Sequence, residues 1–514
     1  MSFARSLITV SGLTGVSRIC GFIRDYLTAL FLGAGPIADA FFVAQRLPNL
    51  FRSLFAEGAF SAAFVPLYTT EQDRNGDQAA QEFAGQALML LVSALLPFSV
   101  LIMLFMPQVM LVLAPGFQNA PEKYDLAVKF STITFPYLAL ISVTALQTGV
   151  LNARGRFAPG AFAPIAFNIV LIVGLFASRL FDWHVGYTLA WAVTISGVVQ
   201  CAWLAISCYR AGVSIPISRP KFSETSLLLF RRIGPGAIGA GAAQINLLVS
   251  TILASTLPTG GVSHLFYADR LNQLPLGIIG IAIATTLLPL LSRHVEAGEE
   301  SQIRHYNSRA IEFCLLLGLP ATIGLIVLAQ PIVQTLFHHG AFTFEDAIYT
   351  SQALGAYALG VPGFLLVKVF AADFFARHDT KTPVKAAMVA MAANIVLSCV
   401  LIFPLQHVGI ALANSIAITL NAALHYYHLK KHNFPIGDEQ LVGRIKKIIA
   451  CAAIMAAISF ALYKVIWTMD ANAKIADEII KLCILIIGSG ISYAVALELF
   501  KVISIRNLKS IMKK

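Results

Sequence analysis

The sequence predicts an all-α polytopic membrane protein of about fourteen transmembrane helices, built as two pseudo-symmetric six-helix lobes plus two extra helices. Three observations carry this prediction. Of 514 residues, 57% are hydrophobic and only 12% charged, with mean hydropathy +0.76, where a soluble domain has about 45–50% apolar and about 25% charged residues. Apolar stretches of bilayer length recur from end to end, and the Lys and Arg residues between them gather on one side. So little polar surface cannot cover a water-soluble globule, which excludes a cytosolic enzyme, a disordered chain and a disulfide-rich secreted domain.

A bilayer core about 30 Å thick takes about 20 mostly apolar residues per helix. In order, such segments run 4–32, 36–69, 83–113, 126–151, 158–179, 186–209, 225–256, 262–292, 307–330, 346–375, 383–403, 407–429, 443–468 and 478–500. The first continues through Arg18 and Arg24 without a small-residue cleavage context, so it is a span and not a removable signal. The second opens at Pro36 after Gly33-Ala34-Gly35 and is bent by Pro48. The seventh holds Gly234-Pro235-Gly236-Ala237-Ile238-Gly239, which formally fits G-x-G-x-x-G. It follows no strand and enters an apolar helix, so it reads as close helix packing or a bend. With residue 1 in the cytoplasm, alternate loops hold twenty-five Lys/Arg on the inner side and six on the outer. That asymmetry predicts both termini inside and an even number of spans.

The chain also resembles itself. Phe42-Val43-Ala44-Gln45-Arg46-Leu47 matches Phe266-Tyr267-Ala268-Asp269-Arg270-Leu271, Pro136 matches Pro362, Ala153-Arg154 matches Ala376-Arg377, and Asn168-Ile169-Val170-Leu171 matches Asn394-Ile395-Val396-Leu397. These matches keep their order at a spacing near 224 residues, which is six spans. The expected division is an N-terminal lobe at 1–215, a C-terminal lobe at 216–435 and two additional spans at 436–514. Parallel repeats of this kind suit alternating access around a midplane site.

Six basic residues lie inside the spans: Arg18, Arg24, Arg46, Arg52, Arg270 and Lys368. A charge at the bilayer centre costs at least about 2.5–3.5 kcal/mol, so such residues line a watery cavity or meet an opposite charge. Arg46 and Lys368 read equally well as side chains snorkelling to the interface. Asp25, Asp39, Glu57 and Asp269 partly neutralise the arginines, and the balance stays positive. A cationic cavity suits a substrate with clustered negative charge, and the guanidinium fork matches phosphate oxygens. The basic excess of the whole chain, +11, is explained by inner loops and not by nucleic acid. The seven cysteines form no C-x-x-C pair, His338-His339 reads as a solvated outer pair, and no Walker motif, nucleophile elbow or H-E-x-x-H occurs. No catalytic residue, metal or cofactor is expected.

Several stretches are family-specific: Arg18 to Asp25 (Arg-Ile-Cys-Gly-Phe-Ile-Arg-Asp), Gly33-Ala34-Gly35 with Asp39-Ala40-Phe41-Phe42-Val43-Ala44, and Leu47-Pro48-Asn49-Leu50 through Phe55-Ala56-Glu57-Gly58-Ala59-Phe60. Ala114-Pro115-Gly116-Phe117, Tyr267-Ala268-Asp269-Arg270-Leu271 and Lys381-Thr382-Pro383-Val384-Lys385 join them. Together they resemble the MurJ (MviN) family, within the superfamily of multidrug, oligosaccharidyl-lipid and polysaccharide exporters. The resemblance implies a transporter and not an enzyme. It would flip lipid II, the undecaprenyl-pyrophosphate-linked peptidoglycan precursor, across the bacterial inner membrane for cell-wall synthesis and cell shape. It implies substrate-binding roles for Arg18, Arg24, Asp39, Arg52 and Arg270, with Asp25 and Glu57 in the motif. The two extra spans, outside the repeat and nearly free of intramembrane charge, are expected to form a lipid-tail groove. Gln273 stands where the family often has glutamate, and span seven offers Gln244 and Asn246 but no carboxylate for a sodium ion. The alternatives are a multidrug or oligosaccharide-lipid exporter of the same superfamily and a non-transporting scaffold for cell-wall synthesis.

Overall fold

The computed structural model describes residues 3–55, 59–217, 224–467 and 475–502, which form helices and turns with no strand among them. The helices are α1 (Phe3–Leu32), α2 (Pro36–Phe55), α3 (Ala59–Leu104), α4 (Met106–Leu113), α5 (Pro121–Thr134), α6 (Tyr137–Ala153), α7 (Ala158–Leu180) and α8 (Val185–Arg210). They continue as α9 (Glu224–Ser255), α10 (Gly261–Glu296), α11 (Glu300–Val327), α12 (Ala329–Phe337), α13 (Phe344–Ala358), α14 (Val361–Ala376), α15 (Lys381–Lys431), α16 (Leu441–Ile466) and α17 (Ile475–Leu499). A 3-10 turn, Pro115–Asn119, joins α4 to α5.

These helices account for the fourteen apolar segments. Among the described residues, ten helical runs are long and apolar enough to cross a membrane. One of them, α15, is two helices meeting at Gln406, and α1, α2 and α9 complete the set. The short α12 had no separate signal in the sequence, because its apolar residues continue those of α11. Breaks within runs have local causes. Gly76 in α3 takes φ +86°, a left-handed conformation open to glycine. Prolines Pro136 and Pro362 stand at the α5–α6 and α13–α14 breaks, where a missing N–H and a fixed φ interrupt the helical ladder.

The repeat is visible in the backbone as well as in the residues. Left-handed positions recur in pairs: Gly76 with Gly298, Gly155 with His378, Asp182 with Gln406 and Gly212 with Asn433. Each pair keeps the spacing of the sequence matches within a few residues. Chain reversals have therefore been duplicated even where the residue at the turn has changed.

By packing, the chain divides into two compact units, residues 1–263 with 340–342 and residues 264–339 with 343–514. This boundary differs from the division at 215 drawn from the repeat, because α9 packs on α2, α3 and α4 within the first unit. Two contacts fix it there: Thr225 donates to Glu71 at 2.7 Å, and Gly116 lies against the Ser255 carbonyl, where a Cβ would come within 2.3 Å. The core of the first unit includes Phe60, Phe64 and Phe83 in successive stacks. In the second unit, Ile279, Ile283, Leu287 and Leu291 make one stripe of α10 at four-residue spacing, packed with Val361, Leu365 and Val369 of α14. Helices α16 and α17 pair with each other and rest on α11 and α12. The Tyr493 hydroxyl donates to the Leu316 carbonyl at 2.9 Å, and Ser459 bonds Ser489 at 2.7 Å.

Candidate functional site: arginines and carboxylates of the membrane helices

In the first unit, Arg24 on α1 is held on three sides. Its Nε and Nη2 donate to Asp25 Oδ1 at 3.0 and 2.6 Å, and its Nη1 donates to Asn168 Oδ1 of α7 at 2.9 Å. The guanidinium lies 5.7 Å from the centre of the Phe167 ring. Only 12% of the Arg24 side chain and 9% of that of Asp25 is exposed, so the pair is largely desolvated and its geometry fixed. Asn168 in turn donates to the Ser17 carbonyl at 3.2 Å, which completes its role as a clamp between α7 and α1. Neighbouring helix residues do not ordinarily face one another. Here the Arg24–Asp25 contact occurs together with the Asn168 bond, which holds the guanidinium from α7. Arg18, one and two-thirds turns earlier, is exposed. Beside Ser17 a cleft of about 260 Å³ opens between α1, α6 and α7, lined by Thr14, Thr148, Asn152, Phe157 and Pro164 among others.

Asp39, grouped by the sequence with the binding residues, is fully buried at the start of α2. Its Oδ2 accepts from Lys123 Nζ at 2.6 Å and from the Gly260 N–H at 2.8 Å, and its Oδ1 accepts from the Ser263 N–H at 2.9 Å and hydroxyl at 2.7 Å. With four donors in place, the carboxylate caps the first turn of α10 and neutralises a lysine that is itself 5% exposed. Asp39 and Ser263 are separated by the 224-residue period of the repeat. Lys123 escaped the sequence reading as a partner of Asp39, since it sits in a polar segment between spans. Lys123 also lies 4.1 Å from the Phe117 ring centre, which gives the Ala114-Pro115-Gly116-Phe117 motif a structural purpose.

In the second unit Arg270 is half-buried on α10, 4.8 Å from the Phe266 ring centre. Gln273 donates to Asp269 at 2.5 Å. An amide here keeps a polar link across one helical turn while removing the charge a glutamate would bring, so the surroundings of Arg270 are more positive. Arg52 lies on α2, but its side chain falls outside the described residues, as do those of Gly234 to Ala243 and the whole of Glu57. His338 and His339, expected in open solvent, are half-buried. Burial pushes His338 below the ordinary histidine value, and His339 Nε2 bonds the Thr335 carbonyl at 3.0 Å. Among the described residues no group of three His, Cys, Asp or Glu is placed to hold a metal ion, and the cysteines are unpaired.

The family model described as "Lipid II flippase MurJ" matches residues 28–472. A probable lipid II flippase MurJ of Rhizobium meliloti (strain 1021) is 40% identical over 509 residues, covering 96% of this chain and 94% of the relative. One from Vibrio cholerae serotype O1 is 35% identical over 525 residues, covering 98% and 97%. Among solved structures, a lipid II flippase MurJ in an inward closed conformation aligns at TM-score 0.79 and 26% identity over 96% of this chain and 98% of that one. An inward-facing multidrug resistance transporter of the MATE family aligns at TM-score 0.67 and 13% identity over 83% of this chain and 97% of that one, a likeness of fold alone. The family match, spanning residues 28–472, places the chain in the lipid II flippase MurJ family.

Proposed function

We propose that this chain moves lipid II from the cytoplasmic to the outer leaflet of the bacterial inner membrane, with both termini in the cytoplasm. The observation that carries the reading is the match to the flippase family over residues 28–472, with relatives 40% identical across almost their whole length. The chemistry of the first unit supports it. Arg24 commits three N–H groups to Asp25 and Asn168, and two more remain on a guanidinium for phosphate oxygens. Asp25 and Asn168 are positioning residues that aim the fork. Arg18, Arg52 and Arg270 supply further positive charge for a pyrophosphate, and Asp39 serves as a tie between helices and not as a ligand. The step is translocation by alternating access, without bond making, so the chain is a transporter and needs no cofactor. The polyprenyl tail stays in the membrane along α16 and α17, which present Ile454, Ile458, Ile484 and Ile487 outward. Membrane lipids and lipid II are the partners of this reading, and nucleic acid is not one.

The test is depletion of the protein in growing cells, followed by treatment with a reagent that modifies lipid II only outside the inner membrane. Lipid II should become protected within one generation of depletion. Unchanged modification would overturn the assignment.

A further inference from the structure

The cleft of about 260 Å³ between α1, α6 and α7 lies within the first unit, beside the turn Arg154-Gly155-Arg156. Among the described residues no charged side chain lines it, yet α1 and α6 turn polar groups toward it. Thr14 and Thr144 show what a helical hydroxyl ordinarily does in this unit: each donates to the carbonyl four residues earlier, at 2.8 and 3.0 Å. The hydroxyls of Ser17 and Thr148 make no such bond. Neither they nor the Asn152 amide has a hydrogen-bond partner among the described residues. From α7, Pro164 lines the cleft and has no N–H to give the Gly160 carbonyl one turn earlier.

The chemistry of the lining is selective. Two hydroxyls and a primary amide offer both donors and acceptors, and the Phe157 ring and Pro164 supply an apolar wall. A few placed polar groups on an apolar and aromatic wall suit a neutral, hydroxyl-rich ring with one apolar face. They do not suit a phosphate or a carboxylate, for which the cleft has no cation. Its position connects it to Arg24. Thr14, Ser17 and Arg24 follow one stripe of α1, and Ser17 lies about 10 Å from Arg24 along the helix axis. Gly21, between them on that stripe, carries no side chain, and a Cβ there would stand 3.6 Å from Asn168 Nδ2. Asn168 joins the two levels, since it accepts from Arg24 and donates to the Ser17 carbonyl. A sugar bonded directly to a phosphate spans such a step.

We propose that this cleft binds the N-acetylated amino sugar attached to the pyrophosphate of the substrate. Ser17, Thr148 and Asn152 hydrogen-bond it, and Phe157 lies under its apolar face. The inference rests on the flippase reading for the phosphate at Arg24, and it places the sugar one step nearer the N-terminal end of α1. It also gives the site a means of sorting. A bare polyprenyl pyrophosphate, the carrier left once the sugar has been transferred away, meets Arg24 alone and is held more weakly than the loaded lipid.

The test is calorimetric binding of two soluble probes to the purified full chain in detergent. One probe is farnesyl pyrophosphate, and the other carries N-acetylglucosamine on its terminal phosphate. Wild-type protein should bind the sugar-bearing probe about tenfold more tightly. Thr148→Val combined with Asn152→Leu should bind both probes equally, at the wild-type affinity for farnesyl pyrophosphate. Valine keeps the methyl group that Thr148 turns toward Gly160, 2.5 Å from where a Cβ would stand, so the hydroxyl alone is lost at that position. Arg24→Ala should weaken both probes alike. Equal affinities in the wild type, or a full preference retained by the double variant, overturn the sugar site and leave the flippase reading intact. A double variant that binds neither probe also overturns it, because the cleft would then only support the phosphate site. Failure of the wild type to bind either probe overturns the phosphate reading, and the sugar site with it.

Discussion

The Arg24 guanidinium is the residue on which the proposed phosphate contact turns, because Asp25 and Asn168 orient it and do not simply neutralise it. Arg24→Ala and Arg270→Ala should abolish lipid II flipping while the protein still inserts, since each removes a charged donor rather than a packing group. Flipping assays alongside quantitative membrane blots check this; full activity of both variants would remove the pyrophosphate assignment. Asn168→Ala should give an intermediate loss, because it frees the guanidinium without deleting it. Asp39 behaves differently. Asp39→Ala leaves Lys123 buried without its carboxylate, which costs about 3–5 kcal/mol. The thermal unfolding midpoint should fall sharply, and Asp39→Ala combined with Lys123→Met should recover much of the loss. An equal fall in single and double variants would mean the ion pair is not the source.

Elements show the same economy of cause at the scale of a helix. The break in α15 at Gln406, φ +49° and ψ −127°, places a non-glycine residue where L side chains are strained. It is held there by the His407–Tyr349 bond and by Gly409, against whose backbone Leu401 presses so closely that a Cβ would meet its carbonyl at 2.2 Å. Gln406→Gly should therefore stabilise the protein by about 1 kcal/mol, after allowance for the greater freedom of glycine in the unfolded chain. Chemical denaturation in detergent reads the sign directly. A destabilised Gln406→Gly would show that the side chain makes contacts worth more than the backbone strain. At the other end of its first half, Asp379 accepts the N–H groups of Lys381 and Thr382 and opens α15. Its hydrogen bond to Thr382 holds its carboxyl below the ordinary range. That contribution is present above the unfolded carboxylate value and is lost only as pH falls through the lower, folded one.

The whole molecule combines a duplicated architecture with an addition that has no counterpart. Helices α16 and α17 lie outside the repeat and bury one side against α11 and α12, through Cys451, Ala452 and Met455. Their other side, with Ile454, Ile458 and Phe460, stays exposed. A surface of that kind, free of charge at mid-helix, fits contact with acyl chains. Ile454→Asn and Ile458→Asn should impair transport of full-length lipid II more than binding of a short-chain soluble analogue. Equal losses for both substrates would point to a purely structural role for the pair.

Much of this protein is legible before folding is considered. Span length and the approximate span number follow from hydropathy, because a bilayer imposes one length on every segment that crosses it. The repeat was readable in Asn168 and Asn394 or Pro136 and Pro362. What the residues could not disclose is which charges meet. Asp25 and Asp39 look alike in sequence, as acids near arginines; one aims a guanidinium, while the other is closed in by Lys123, Gly260 and Ser263. Asn168 reaches Arg24 across 144 residues, and His264 reaches Asp346 across 82. Periodicity describes a helix against its solvent, and here the solvent is lipid. Pairing between helices depends on which faces turn toward each other, and only the packed tertiary structure decides that.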